Sequence, residues 1–255
     1  MTRQSIAAGS TADDQVERLF SGPIGQEYQL LDLICPAVAA MSQCVGDYVA
    51  SLPPSKTGAL NVLEIGCGTG RTTEALLRSR ADLIITAVDN EPTMLDQARV
   101  ALSAFMDRGR VRLVEADALA ALQFLPAESI DLVASAYSLH NFIEAYRVRV
   151  LAEIFRVLRP GGIFVNGDRY GLDDTAQHTR LTQDEIRHYF QVFSALNRVD
   201  LLEQWIIHLF SDESPDHIMR LGPSLALMEK LGFKPVEVRG RDGVNTLVTA
   251  AKPAL

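Results

Sequence analysis

Val62-Leu63-Glu64-Ile65-Gly66-Cys67-Gly68-Thr69-Gly70 is the stretch from which the rest of the chain can be read. An apolar run rich in branched residues, 60–65, ends abruptly in three glycines, and a helix-like pattern begins near Arg71. Branched side chains suit a pleated, buried strand. Glycines permit a tight turn and let a ligand approach the backbone closely. The stretch therefore predicts a strand, a turn and a helix N-terminus, the local shape that cradles a nucleotide-like cofactor.

Downstream of the loop, strand and helix patterns alternate. Predicted strands cover 60–65, 83–88, 111–114, 130–135 and 163–166, with helical stretches near 71–80, 93–106 and 144–158. Arg108-Gly109 and Pro160-Gly161-Gly162 supply stop signals. Alternation of this kind implies right-handed crossovers and a mainly parallel sheet with helices on both faces, an α/β doubly wound fold. The rhythm then changes. Residues 182–219 read as helices at 183–196 and 199–210 plus a short third, followed by a helix at 223–231 and a strand pair at 234–239 and 245–250. Upstream, Val16, Leu19 and Phe20 form an apolar helical stripe, Gly22-Pro23 ends it, and helical runs at 26–33 and 37–49 follow. The expectation is a single domain: a helical cap at 13–55, a cofactor-binding core at 56–171, a helical substrate cap at 172–222, and a final helix with a strand pair at 223–255.

Composition narrows the partners. The chain has 255 residues, is 47% hydrophobic and 22% charged, and carries a net charge of −8. A polyanion such as nucleic acid is a poor partner for so acidic a chain. Three cysteines, Cys35, Cys44 and Cys67, are too few for a disulfide framework and show no metal-ligand spacing, which suits a reducing cytoplasm. No uninterrupted apolar run reaches the roughly 18 residues of a membrane span, and residues 1–14 lack the apolar core of a signal peptide. The oligomeric state is left open, a homodimer being one option.

The glycine spacing argues about the cofactor. A dinucleotide fingerprint needs Gly-x-Gly-x-x-Gly, with the third glycine where the pyrophosphate meets the helix. Counted from Gly66, that place holds Arg71, and the third glycine falls at position 70. The Gly-Lys-Ser/Thr ending of a phosphate loop is absent too. Asp89 closes the second predicted strand, about 20 residues past the loop, where a carboxylate can accept from both ribose hydroxyls. Asp117, after the third strand, could accept from an exocyclic amine. The segment from Asp131 to His140 leaves the fourth strand at the carboxyl edge, where ligands bind in open α/β sheets.

Taken together, Leu63 to Gly70, Asp89, Glu115-Ala116-Asp117, Tyr137 to Phe142 and Leu158-Arg159-Pro160-Gly161-Gly162 resemble a class I S-adenosylmethionine-dependent methyltransferase over about residues 56–170. The resemblance implies a seven-stranded sheet of order 3-2-1-4-5-7-6 with the last strand antiparallel. It implies S-adenosyl-L-methionine as cofactor, with the loop of Glu64, Gly66, Cys67, Gly68, Thr69 and Gly70 lining its methionine part. Asp89 would bind the ribose, Asn90 and Met94 would border the adenine, and Asp117 and Ala118 would sit at the adenine edge. Ser135, Ala136 and Tyr137 would pass beneath the sulfonium.

Several residues carry two readings. Asp89 could cap the helix beginning at Pro92, and Asp117 could be a turn residue. His140 is the nearest general base, with Tyr137 beside it, but methyl transfer often needs only alignment of nucleophile and sulfonium. Cys67 reads as a small buried residue rather than a nucleophile. Tyr28, Arg169, Trp205 and His208 are candidate substrate contacts, and Phe190, Phe193, Trp205 and Phe210 could build an apolar substrate pocket. His208, Asp212 and His217 have a conceivable ligand spacing, but with no second cluster in support no metal is expected. The expected function is methyl transfer to O, N or C of a small molecule. Rivals are other chemistry on the same cofactor, given a faint resemblance of Phe20, Tyr28 and Ile34-Cys35-Pro36 to carboxy-S-adenosylmethionine synthases, and a cofactor-binding module without turnover. A nucleic-acid methyltransferase is disfavoured by charge, and a Rossmann oxidoreductase by Arg71.

Overall fold

The computed structural model describes residues 23–27, 30–55 and 58–254. Val16, Leu19, Phe20 and Tyr28 lie outside these residues, so the first predicted helix is not considered further. Three helices open the described chain: α1 (Pro23–Gln26), α2 (Leu31–Ile34) and α3 (Ala37–Ser51). Pro23 stands at the start of α1, where its missing N–H costs nothing, and the helix that Gly22-Pro23 is expected to end lies outside the described residues.

The core then runs β1 (Leu60–Ile65), α4 (Arg71–Ser79), β2 (Leu83–Asp89), α5 (Pro92–Ala101), α6 (Ser103–Met106), β3 (Val111–Glu115), α7 (Ala118–Phe124), β4 (Ile130–Ala136), α8 (Glu144–Val157) and β5 (Leu158–Arg169). The predicted helix at 93–106 is divided at Leu102. Helix α7 falls in a stretch where no helix is predicted. It is capped by Asp117, whose Oδ1 accepts from the Ala120 amide at 3.0 Å. The insertion is α9 (Thr175–Ala195) and α10 (Val199–Asp212). Helix α9 starts well before the expected residue 183, because Asp174 accepts from the Ala176 and Gln177 amides and fixes the first turn there. Helix α11 (Leu221–Lys230) and the strands β6 (Val236–Asp242) and β7 (Asn245–Ala251) complete the described chain.

The seven strands form one sheet of order β3-β2-β1-β4-β5-β7-β6. Strands β1 to β5 pair in parallel, and β7 is antiparallel to both β5 and β6. The expected fold class and strand order are therefore found. Parallel strands covered on both faces need apolar side chains on both, which is why β1 is apolar at Leu60, Val62, Leu63 and Ile65. One face is covered by α3, α4 and α5, with Val45, Leu76 and Leu95 on Val62, Ile85 and Leu132. The other is covered by α7, α8 and α11, with Leu122, Ile154 and Met228 against Leu63, Val133 and Phe164. Helix α3 reaches α4 closely at Gly46, where a Cβ would lie 3.1 Å from the Ala75 carbonyl oxygen.

A third apolar cluster stands apart from the sheet. Ile24, Leu31 and Ile34 of α1 and α2 pack with Tyr189, Phe193, Leu201 and Trp205 of α9 and α10. The beginning of the described chain and the insertion thus form one helical roof, while α3 belongs mainly to the sheet layer through Met41, Val45 and Val49 and reaches the roof cluster through Val38. Because β2 lies on one side of β1 and β4 on the other, the carboxyl end of β1 is a switch point of the topology, and the roof stands near it. No described helix is long and apolar enough to cross a membrane.

Candidate functional site

A cleft opens at the carboxyl ends of β1, β2, β3 and β4, and holds about 950 Å³ including its mouth. Its floor is the glycine loop. Gly66 has φ +68°, and a Cβ there would lie 2.0 Å from Ser138 Oγ, so only glycine lets the β1 loop meet the loop after β4. Gly68 also has positive φ, and a Cβ there would meet nothing within 4 Å, so its bare backbone faces open space.

Asp89 fastens this loop. Its Oδ2 accepts from the Gly68 amide at 2.8 Å and its Oδ1 from the Glu91 amide at 2.9 Å. The carboxylate therefore bridges the β1 and β2 loops at the mouth of the cleft. Burial raises its pKa, opposed by those same amides. The helix-cap role that the sequence allows Asp89 belongs instead to Glu91, whose Oε1 accepts from the Thr93 amide at 3.2 Å. Glu91 is buried, lines the cleft, and its Oε2 meets no donor among the described residues. Asn141 Oδ1 is in the same position. Neither residue is picked out by the sequence. Glu91 looks like an ordinary helix-start acid there, and Asn141 carries no pattern.

Of the sequence candidates, Gly66, Cys67, Gly68, Thr69, Asp89, Asn90, Met94, Asp117, Ala118, Ala136 and Tyr137 line the cleft. Three other cofactor candidates do not. Gly70 packs beneath the loop, where a Cβ would come within 2.8 Å of Leu102. Ser135 is fully buried and donates to the Ile65 carbonyl at 3.1 Å, stitching β4 to β1. Glu64 is buried behind the loop, and neither carboxylate oxygen completes a hydrogen bond of ordinary geometry. Burial pushes its pKa up to about 7, Thr73 opposing and Asp89 adding to the shift. Asp117 caps α7, accepts from the Tyr146 hydroxyl at 2.6 Å, and lines the cleft. The Cys67 thiol is pushed well above its ordinary pKa by burial and by Glu64 and Asp89, which makes it inert.

Tyr137 sits at the turn out of β4 with φ +49°, a strained value for a side chain of this size. Its amide donates to the Gly167 carbonyl at 2.9 Å and its hydroxyl bonds Asn245 Oδ1. Burial, with Cys35 and Asp168, raises the phenol pKa, so it stays protonated. His140 lies behind Tyr137, edge to face with it at 5.9 Å between ring centroids, and does not line the cleft. Its Nδ1 meets Asp168 Oδ1 at 2.6 Å. Burial works against a charged ring, but Asp168, aided by Asp212, outweighs it and raises the His140 pKa.

The substrate candidates are placed in or under the roof. Arg169 Nη1 donates to Glu185 at 2.9 Å and Nη2 to Glu213 at 2.6 Å, joining the end of β5 to both insertion helices. Trp205 is buried in the roof with its ring edge to face against His208. Tyr28 lies outside the described residues. The four-aromatic pocket is not formed. Phe193 and Trp205 are core, whereas Phe190 is 50% and Phe210 65% exposed, since they sit on the outward faces of α9 and α10.

Known proteins match on this same core. Residues 62–162 match the family model described as "Methyltransferase domain". A demethylmenaquinone methyltransferase of Leptospira interrogans is 36% identical over 112 residues, which is 44% of each chain. A carboxy-S-adenosyl-L-methionine synthase of Photobacterium profundum is 26% identical over 145 residues, 56% of this chain and 57% of that one. The match spans about half the length of these curated relatives. Among solved structures, an O-methyltransferase family protein from Burkholderia thailandensis superposes with a TM-score of 0.64 at 19% identity, covering 96% of this chain and 64% of that one, which speaks for the fold. Residues 62–162 thus match a methyltransferase domain, and the strand order and glycine loop around them are those expected of the class I S-adenosylmethionine-dependent methyltransferase fold.

Proposed function

We propose that the chain binds S-adenosyl-L-methionine in the cleft and transfers its methyl group to an oxygen, nitrogen or carbon of a small organic molecule. The observation that carries this reading is the surplus of acceptors around the cleft. Asp89, Glu91, Asp117 and Asn141 line it, and two of their oxygens are buried without a donor among the described residues. A ligand rich in donors and carrying positive charge fits that lining; a pyrophosphate does not. Asp89 and Glu91 would take the ribose, Asn90, Met94, Asp117 and Ala118 the adenine, and Gly66 to Thr69 with Tyr137 the methionine end.

When bound, the cofactor supplies a methyl group on a good leaving group. The protein's own part is alignment and exclusion of water. The strained Tyr137 turn and the roof of α1, α2, α9 and α10 would supply both, with α3 counted in the sheet layer. Matched relatives that act on small molecules support an acceptor of that class, and three free cysteines fit a cytoplasmic setting.

The test is calorimetry with the purified protein. The wild type binds S-adenosylmethionine, and Asp89→Ala, which frees the Gly68 and Glu91 amides, weakens binding by about tenfold to a hundredfold, as expected for loss of 1–3 kcal/mol of charge-assisted hydrogen bonding. No heat with the wild type would remove the proposal. A second reading, other chemistry on the same cofactor, is favoured by the longer alignment to the carboxy-S-adenosyl-L-methionine synthase. Mass spectrometry of the ligand carried through purification separates the two, because a carboxylated sulfonium would be heavier than the methyl donor.

A further inference from the structure

Behind Tyr137, three side chains from two distant parts of the chain converge. His140 comes from the loop after β4, and His208 and Asp212 come one turn apart on α10. One ligand-type atom from each lies within 4.8 Å of the other two. His140 Nε2 stands 3.9 Å from Asp212 Oδ2, and His208 Nε2 stands 3.7 Å from the same oxygen. We propose that His140, His208 and Asp212 form a binding site for a divalent first-row transition metal of the zinc class, which ties the helical roof to the cofactor domain.

The geometry carries this in three steps. First, the two Asp212–histidine separations are too long for direct hydrogen bonds and close to those of atoms sharing one cation. Two ligands at zinc distances and a tetrahedral angle lie roughly 3.4 Å apart, so shifts of a few tenths of an ångström bring Asp212 and each histidine into range, while the two histidine nitrogens, within 4.8 Å of each other, must close by up to about 1.4 Å as their rings turn onto the ion. Second, the histidine is oriented for ligation. A neutral His140 ring donates Nδ1–H to Asp168 and presents the Nε2 lone pair toward Asp212, the arrangement in which a carboxylate fixes the tautomer of a metal-binding imidazole. Asp168 is itself held by the Leu139 and Arg169 amides at 3.0 and 2.8 Å. Third, Asp212 is over nine-tenths buried, and its Oδ1 meets no donor among the described residues. A buried carboxylate with an unpartnered oxygen is costly unless a cation offsets it.

Two imidazole nitrogens and one carboxylate oxygen select zinc, cobalt, nickel or ferrous iron over magnesium or calcium, which prefer all-oxygen shells. Three protein ligands leave a coordination position open for water or another group. His140 rides on the loop that carries Tyr137 and Asn141 into the cleft. An ion here would link α10 to that loop without depending on what the cleft binds.

Trp205, the only tryptophan in the chain, reports on the site. Its ring lies 5.5 Å from that of His208, edge to face. The experiment uses full-length protein freed of metal by chelation, titrated with ZnCl2 by calorimetry and with CoCl2 by visible absorption and Trp205 fluorescence. The expected result is one equivalent bound, cobalt bands of a nitrogen–oxygen site, and quenching of Trp205. His208→Gln and Asp212→Asn, each checked for folding by circular dichroism, should bind at least ~100-fold more weakly. No stoichiometric binding by the wild type overturns the proposal. So does binding that both folded variants retain, since the ion would then sit elsewhere. A proton shared by His140 and the two carboxylates would give the first of those results.

Discussion

Glu64 offers the most quantitative test of the core beneath the cleft. It ends no hydrogen-bond network and is buried at the carboxyl end of β1, with Asp89 as a like-charged neighbour. Burial first, then Asp89, raises its pKa from 4.5 to about 7, against the opposing pull of Thr73. The folded state thus holds a proton that the unfolded chain releases near pH 4.5. Between those values the folded state binds more protons, so stability falls as pH rises. At 1.36 kcal/mol per unit, the loss is about 3 kcal/mol between pH 4.5 and 7, complete above that range and absent below it. Urea denaturation of the ligand-free protein measures this, provided other titrating groups are subtracted. Glu64→Gln does so, because it keeps the shape and removes the titration. The difference in unfolding free energy, wild type minus variant, should fall by about 3 kcal/mol from pH 4.5 to 7.5. A difference that stays flat across that range would refute the account, and would mean that Glu64 is charged and compensated in the folded protein.

Two further substitutions test other parts of the architecture. Gly66→Ala puts a Cβ 2.0 Å from Ser138 Oγ in a residue with φ +68°, so the two loops must part. A stability loss of about 1–3 kcal/mol by urea denaturation and weaker S-adenosylmethionine binding by calorimetry are expected, and an unchanged affinity would show that the loop contact does not shape the cleft. Arg169→Met leaves the half-buried Glu185 and Glu213 carboxylates without their shared partner, although Glu213 keeps His178 and Glu185 keeps the Tyr189 hydroxyl, which should cost about 1.5–3 kcal/mol in the same assay; a loss under about 0.5 kcal/mol would mean that the roof is held by its apolar cluster alone.

What the sequence makes legible is local or periodic. The β1 run, the glycines and the α4 start lie within one short window, and the alternation of strands and helices is enough to order the sheet. Cap assignment is less legible, because it depends on which carboxylate the backbone happens to meet. Asp89 and Glu91 are both acids just before Pro92, and only the fold shows that Glu91 takes the Thr93 amide while Asp89 turns back to Gly68. Ser135 fails for a related reason. It stands in a strand next to cleft residues, but alternation of strand side chains sends its hydroxyl toward Ile65. The start of α9 is not legible in the sequence because residues 175–182 have no apolar stripe, and the Asp174 cap marks where the helix begins.

The roof is the harder case, and its physics explains why. Its apolar cluster joins Ile24 and Leu31 to Trp205 and Leu209, residues far apart in the chain that show no shared periodicity. Aromatic residues on α9 and α10 look alike in sequence, yet Phe193 is core and Phe190, three positions earlier, is half exposed, because a helix buries only the stripe that faces a neighbour. The same geometry brings His208 and Asp212, on one face of α10, to His140 on a different element. In sequence that pair looks like a solvated helix end, and what changes its chemistry is the third group arriving across the fold. Cleft and roof are therefore unequally written. The cleft is built around one backbone loop, whose glycines are its signature. The roof is built from the inner stripes of helices, whose identity is fixed only when they pack.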